Sequence, residues 1–164
     1  MMKLSITRTI AMAITIAITI TIRDSANAAL SDAQKTEMLD LHNEARRSIP
    51  SPTAANMLKL VWDDAVAASA QAHAESCPTG HSTTEYGENL SWGWPSMTPD
   101  GAVAEWSIEN EYYTFASDSC QDGEVCGHWT QLAWAETAKV GCGHATCANI
   151  FGQPTVQAYV CQVR

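Results

Sequence analysis

The chain has 164 residues, 46% of them hydrophobic, with six cysteines and 18 acidic against 9 basic residues, a net charge of −9. This is length enough for one domain with one core. The acidic balance argues against nucleic-acid binding and against electrostatic docking on anionic membranes, but not against a neutral lipid in an apolar groove.

Residues 1–28 read as a secretory leader. Lys3 and Arg8 form a basic start, Thr9 to Ile22 is an uncharged run of 14 residues, and Ala26-Asn27-Ala28 is a small-residue cleavage site. The run is shorter than the ~20 residues of a spanning helix. Cleavage before Ala29 leaves residues 29–164 as a single domain, with 6 Lys and Arg against 17 Asp and Glu. No later segment is long and apolar enough to span a membrane, so a secreted, extracellular product is expected.

Ser31 to Arg47 has helical periodicity, with Met38, Leu41 and Ala45 on one face and Ser31 and Gln34 spaced for a capping box. Ile49-Pro50-Ser51-Pro52 ends it. A second helix is predicted from Asp63 as N-cap to about Ser76, with Ala67, Ala70 and Ala74 as a stripe that permits close packing. Pro78 to Tyr86 is polar loop, and Glu88 to Trp92 is a strand broken by Gly93-Trp94-Pro95. Thr98-Pro99 opens a third helix carrying Val103, Trp106 and Asn110 or Tyr113 at helical spacing. Ser117 to Gly127 is loop. Val140 to Gly143 and Ala158 to Val163 are short buried strands.

All six cysteines (Cys77, Cys120, Cys126, Cys142, Cys147, Cys161) lie after the leader. An even number behind a leader reads as three disulfides formed in an oxidising compartment, and count alone leaves the connectivity open. The absence of C-x-x-C spacing argues against a zinc knuckle or a thioredoxin-like site.

Chemistry-bearing residues fall into an ordered set: Gly80-His81-Ser82, Gly87-Glu88-Asn89-Leu90, Trp106 followed by Glu109, and Cys126-Gly127-His128-Trp129-Thr130-Gln131-Leu132-Ala133-Trp134. Two neutral imidazoles suit Zn²⁺ and similar ions, and two carboxylates can orient them, polarise a water or hold one ring protonated. The competing reading is a satisfied polar network that pins the third helix to the sheet. There is no H-E-x-x-H, no G-x-S-x-G elbow, and no free thiol if all six cysteines are bridged. Catalysis is therefore left open and disfavoured.

With Leu41-His42-Asn43-Glu44-Ala45-Arg46, Asn56-Met57, Trp62-Asp63 and Tyr159-Val160-Cys161, this set resembles the CAP or SCP superfamily: cysteine-rich secretory proteins, antigen 5 and pathogenesis-related 1 proteins. The resemblance implies an α+β fold, a three-layer α-β-α sandwich around a small antiparallel sheet. It implies a central cleft of His81, Glu88, Glu109 and His128. It also implies the disulfides Cys77–Cys147, Cys120–Cys126 and Cys142–Cys161. A weakly held divalent metal such as zinc would sit on His81 and His128, supported by Glu88 and Glu109, with no obligatory cofactor. Some relatives bind sterols on the loop before the Gly-His-Trp-Thr motif and others hold fatty acids. That makes Tyr112, Tyr113 and Phe115 the lipid candidates here, independent of the cleft, although the loop also carries Asp118, Asp122 and Glu124.

Function by resemblance is extracellular binding of a sterol or fatty acid in a defence or host–microbe setting. The alternatives are a metal-dependent hydrolase using the cleft and a module recognised by an extracellular receptor. His42 is assigned to packing, His73 to the surface and His144 to a solvated loop. The tryptophans are assigned mainly to the core. Asn89-Leu90-Ser91 is a glycosylation sequon read as a structural amide. Where relatives continue into Cys-Asn-Tyr-x-Pro-x-Gly-Asn, this sequence reads Cys161-Gln162-Val163-Arg164, so an activity of a released C-terminal peptide is not expected.

Overall fold

The computed structural model describes residues 29–49 and 56–164. The expected leader, its cleavage site and the Pro50–Pro52 loop fall outside the described residues. The first helix, α1 (Asp32–Arg47), starts on the anticipated capping box, with the Ser31 and Gln34 side chains each serving the other's backbone N–H. Strand β1 (Val61–Trp62) follows. Helix α2 (Asp64–Glu75) is capped by Asp63, whose Oδ1 accepts from the N–H groups of Ala65 and Val66.

Strand β2 (Gly87–Gly93) leads to α3 (Pro99–Ser107), which has Thr98 as N-cap and Pro99 in its first turn. The helix then tightens into a 3₁₀ segment, Ile108–Tyr112. Strands β3 (Tyr113–Thr114) and β4 (Ser119–Cys120) form a small hairpin: β4 lies inside the expected loop, whereas Tyr113, expected at helical spacing on the third helix, is a strand residue because the helix ends before it. Helix α4 (Gly127–Leu132) and the long strands β5 (Lys139–Ile150) and β6 (Gln153–Val163) complete the chain.

The sheet order is β1-β5-β6-β2. Strands β5, β6 and β2 are antiparallel, as expected, but β1 runs parallel to β5. A two-residue strand has too little alternation to be read from sequence. Strand periodicity divides the core in two. On β6, Ala158 and Val160 join Ala70 and Ala74 of α2, whereas Tyr159, Cys161 and Val163 join Met38, Trp106 and Leu132 of α1, α3 and α4 on the other side. This is the α-β-α sandwich.

The alanine stripe of α2 meets glycines of β5. A Cβ at Gly141 would lie 2.1 Å from the Ala67 nitrogen, and one at Gly143 would lie 2.3 Å from the Gln71 Cα. No side chain fits there, and the missing Cβ atoms bring the helix onto the strand. Those glycines also made β5 look short. It runs on through Ile150, and His144, read as a solvated loop residue, is a half-buried strand residue. Its ring packs on Tyr159 with centroids 4.6 Å apart, and its Nε2 lies 2.7 Å from Gln157 Oε1. The hairpin to β6 turns through Asn149, Phe151 and Gly152, all at positive φ.

The disulfides are Cys77–Cys147, Cys120–Cys126 and Cys142–Cys161, the pairs the resemblance implies. Cys142 and Cys161 face each other across β5 and β6. Cys77–Cys147 closes a separation of 70 residues, so on loop entropy it contributes about 4 kcal/mol, against about 2 kcal/mol for the local Cys120–Cys126 bridge.

Candidate functional site

The structure arranges His81, Glu88, Glu109 and His128, the residues expected in a cleft, as two His–Glu pairs. Glu88 sits on edge strand β2, facing the same way as Gln162 on β6. Its Oε1 accepts from the Ser82 N–H at 2.8 Å and lies 2.9 Å from His81 Nδ1, while its Oε2 accepts from Gln162 Nε2 at 2.7 Å. Burial would raise the Glu88 pKa, but the hydrogen bonds from Gln162, Ser82 and His81 outweigh it and hold the carboxyl below its ordinary range. The His81 side chain remains 63% exposed over this buried carboxylate.

Glu109 falls just past α3, in the 3₁₀ segment, three residues after Trp106. The helix tightens before it, yet both residues bracket His128. Glu109 Oε1 lies 2.5 Å from His128 Nδ1, and Oε2 accepts from the backbone N–H groups of His128 and Trp129 at 2.9 and 3.1 Å. Cys126, at the N-cap of α4, has no side-chain cap of its own. Glu109 therefore caps this helix from a distant segment, placing a negative group at its positive end. The His128 ring stacks on Trp106 at 22° with centroids 6.5 Å apart.

The pairs meet through consecutive residues of β2. Glu88 serves His81, and Asn89 donates from Nδ2 to the His128 carbonyl at 3.1 Å. Asn89 is buried, in keeping with a structural amide. A carboxylate only accepts, so in each neutral ring Nδ1 carries the proton and Nε2 presents a lone pair. Neither Nε2 has a partner among the described residues. Those are the atoms through which the two rings can act, with the carboxylates orienting the rings from behind.

Among the described residues, however, the one group of three donors within 4.8 Å of one another is His42, Cys142 and Cys161. There both sulfurs are bridged, and His42 Nδ1 is bound to the Met38 carbonyl at 2.7 Å. The quartet thus does not close into a three-donor set. Its donor chemistry suits a weak, exchangeable ion held on two imidazoles rather than a structural metal.

The second candidate is a groove of about 350 Å³ lined by Tyr113, Phe115, Asp118, Thr130, Ala133, Trp134, Ala135 and Glu136. Tyr113 and Phe115 were anticipated; Tyr112 does not line it. Phe115 is 51% and Trp134 55% exposed, and Tyr113 meets Phe115 edge-on at 6.0 Å. The Tyr113 hydroxyl donates to Asp118, which with partial burial and the carboxylate's charge raises the tyrosine's pKa.

Three contributors were missed. Trp134 looked like core because it ends an apolar run. Gln162 is buried between Cys161 and Val163, and the lone polar residue in that run was the available signal. Arg46 was read only as part of the helix-one motif. It is 4% exposed, and among the described residues its hydrogen-bond partners are carbonyls and a hydroxyl rather than carboxylates. Its Nη1 donates to the carbonyls of Leu132 and Trp134 and to Thr137 Oγ1, and its Nη2 donates to the carbonyls of Leu58 and Thr137. It fixes the segment that carries Trp134.

Comparison with known proteins settles the family. Residues 39–163 match the CAP family, described as the cysteine-rich secretory protein family. The chain belongs to it. Mouse peptidase inhibitor 16 is 38% identical over 142 residues, which cover 81% of this chain and 28% of that protein. The chain thus spans less than a third of that relative. Pathogenesis-related protein 1C of Nicotiana tabacum is 41% identical over 118 residues, covering 69% of this chain and 67% of its own. Among solved structures, venom allergen-like protein 4 of Schistosoma mansoni superposes with a TM-score of 0.64 at 23% identity, covering 82% of this chain and 89% of that one, a likeness of fold. This CAP protein is of the pathogenesis-related 1 and cysteine-rich secretory type.

Proposed function

We infer that this CAP protein is an extracellular binder of a small apolar ligand, held in the groove walled by Tyr113, Phe115 and Trp134. The leader-like residues 1–28 and three disulfides support an exported protein. The observation that carries the reading is the pair of half-exposed aromatic walls, Phe115 and Trp134, on one open groove. Its volume lies near the low end of ligand pockets, which run roughly 300–1,000 Å³. The polar rim is acidic, with Asp118 and Glu136. A fatty-acid carboxylate would meet two like charges there, whereas a sterol offers a rigid apolar body and one hydroxyl that a carboxylate can accept. The sterol class is therefore favoured over a fatty acid.

The test is binding of radiolabelled cholesterol and of a labelled fatty acid. Phe115→Asp and Trp134→Asp should each weaken sterol binding while His81→Ala leaves it intact, and the fatty acid should bind less well. Loss in His81→Ala with both groove variants silent would place the ligand in the cleft. No binding by the parent protein would favour recognition by a receptor.

A second reading rests on the two free Nε2 atoms. His81 and His128 bind one divalent ion such as zinc, Glu88 and Glu109 orienting their rings. Such an ion, when bound, would polarise a water or a carbonyl, the chemistry a hydrolase needs. Zinc calorimetry should give a weak signal that is lost when both imidazoles are removed. A double variant, His81→Ala with His128→Ala, that binds zinc as well as the parent would rule this out.

A further inference from the structure

The chain between Pro99 and Thr137 contains eight acidic residues and no Lys or Arg, yet it also displays Ile108, Phe115, Val125 and Trp134 at 50% exposure or more. Single exposed apolar residues are unremarkable on any protein. Phe115 and Val125 differ because one rigid loop presents both. Strands β3 and β4 pair Tyr113 with Cys120 and Thr114 with Ser119. Cys120 is bridged to Cys126, the neighbour of Val125, and the Gln121 N–H donates to the Tyr112 carbonyl at 2.8 Å. The apolar tips are therefore held in place without a core to cover them, and Trp134 lines the same groove as Phe115. Apolar groups displayed together on a braced loop mark an interaction surface.

The charges around these tips select the partner. With carboxylates at Asp118, Asp122, Glu124 and Glu136 and no cation in the segment, an anionic surface is repelled. A quaternary ammonium is attracted twice, by the carboxylates and by the faces of Phe115 and Trp134, and aromatic rings beside acids suit choline. Tryptophan and other aromatics also settle at the headgroup level of a bilayer. We propose that the loop of residues 113–126 and Trp134 form a docking surface for a zwitterionic, choline-bearing lipid bilayer, with Val125 and Phe115 entering the interface. The surface shares two walls with the ligand groove of the preceding section, and Val125, which lies outside that groove, separates the two.

Flotation of the whole secreted protein with sterol-free phosphatidylcholine vesicles tests it. The protein should float with these vesicles, lose only part of that binding when salt is raised about tenfold, because screening weakens the carboxylate–ammonium attraction but not the apolar contact, and float less when phosphatidylserine is added. Val125→Asp should weaken partition about tenfold or more, the loss expected when a charge replaces a buried valine. The same variant should bind cholesterol supplied in detergent as the parent does, and that arm also shows that it is folded. The surface is refuted if the parent stays in solution with phosphatidylcholine, if it prefers phosphatidylserine, if it docks only when the vesicles contain sterol, or if Val125→Asp is silent. It is equally refuted if Val125→Asp dissolves a dimer formed without vesicles, since the patch would then belong to a second copy.

Discussion

Replacing Arg46 with lysine should unfasten the groove from behind its Trp134 wall. The guanidinium reaches four carbonyls and a hydroxyl on two separate segments, Leu58 and residues 132–137. Burial lowers its pKa, as it does for a cation that has left water for carbonyl oxygens. Nε has no partner among the described residues, so the hold depends on the two terminal nitrogens. A lysine ammonium is a single point with three donors and cannot span both segments. At least two carbonyls then lose a charge-assisted donor, each worth about 1.5–3 kcal/mol, with part regained by relaxation. A net loss of about 3 kcal/mol is expected, or roughly 10 °C of melting temperature for a domain of this size. Sterol affinity should fall with it, because the Trp134 carbonyl is one of the acceptors at 2.8 Å. Calorimetric melting and the sterol assay measure the two effects. A lysine variant melting within about 2 °C of the parent, with unchanged affinity, would refute the bracing argument.

Acid should destabilise the fold through His42. Burial, with a smaller effect of Arg46, lowers its pKa from 6.5 to about 4 despite the hydrogen bond to Met38, so the folded state holds it neutral. An unfolded chain takes up the proton first, and stability is lost as pH falls from about 6.5 to 4, by about 3 kcal/mol in all. Below that range Asp63 adds to the loss: Lys139, the Val66 N–H and Arg164 hold its carboxyl well below the ordinary range. Denaturant melts at several pH values should show a flatter profile in His42→Gln than in the parent. Gly143→Ala should cost about 3 kcal/mol or more, since its Cβ would fall 2.3 Å from backbone that cannot move aside; near-parental melting would mean that α2 shifts freely. Asn89 should carry no glycan, because its amide is buried and bonded to the His128 carbonyl; a sugar detected there by mass spectrometry would show this strand to be open.

How much was legible follows from the range of the interactions involved. Ser31 with Gln34, Asp63, and Thr98 with Pro99 gave helix starts correct to the residue, because a cap is decided within four positions. The family motifs named His81, Glu88, Glu109 and His128. What they did not convey is that the residues stand as two pairs, since that depends on β2 lying at the sheet edge with Glu88 and Asn89 facing opposite ways. His144 was misread for a similar reason: Gly141 and Gly143 weaken a strand pattern locally, and only the fit against α2 shows why glycine is needed there. The partners of Arg46 and Gln162 could not be read from the sequence because they lie up to 91 and 80 residues away, although Gln162 stood out as the lone polar residue of its run.

The same distinction separates the two candidate sites. Each half of the cleft is built from short, directional bonds to buried carboxylates, so its geometry is specified and its rings are held in one tautomer. The groove is walled by residues that leave half of their surface in water, and its shape depends on supports behind it: Cys120–Cys126 under Phe115, and Arg46 behind Trp134. A specified polar pair resists change at its own atoms. An apolar groove resists it only as far as its bracing does. Substitutions remote from the groove, at Arg46 above all, should therefore alter ligand binding more than substitutions at His81, although His81 belongs to the family's motif and the role of Arg46 emerges only from the folded chain.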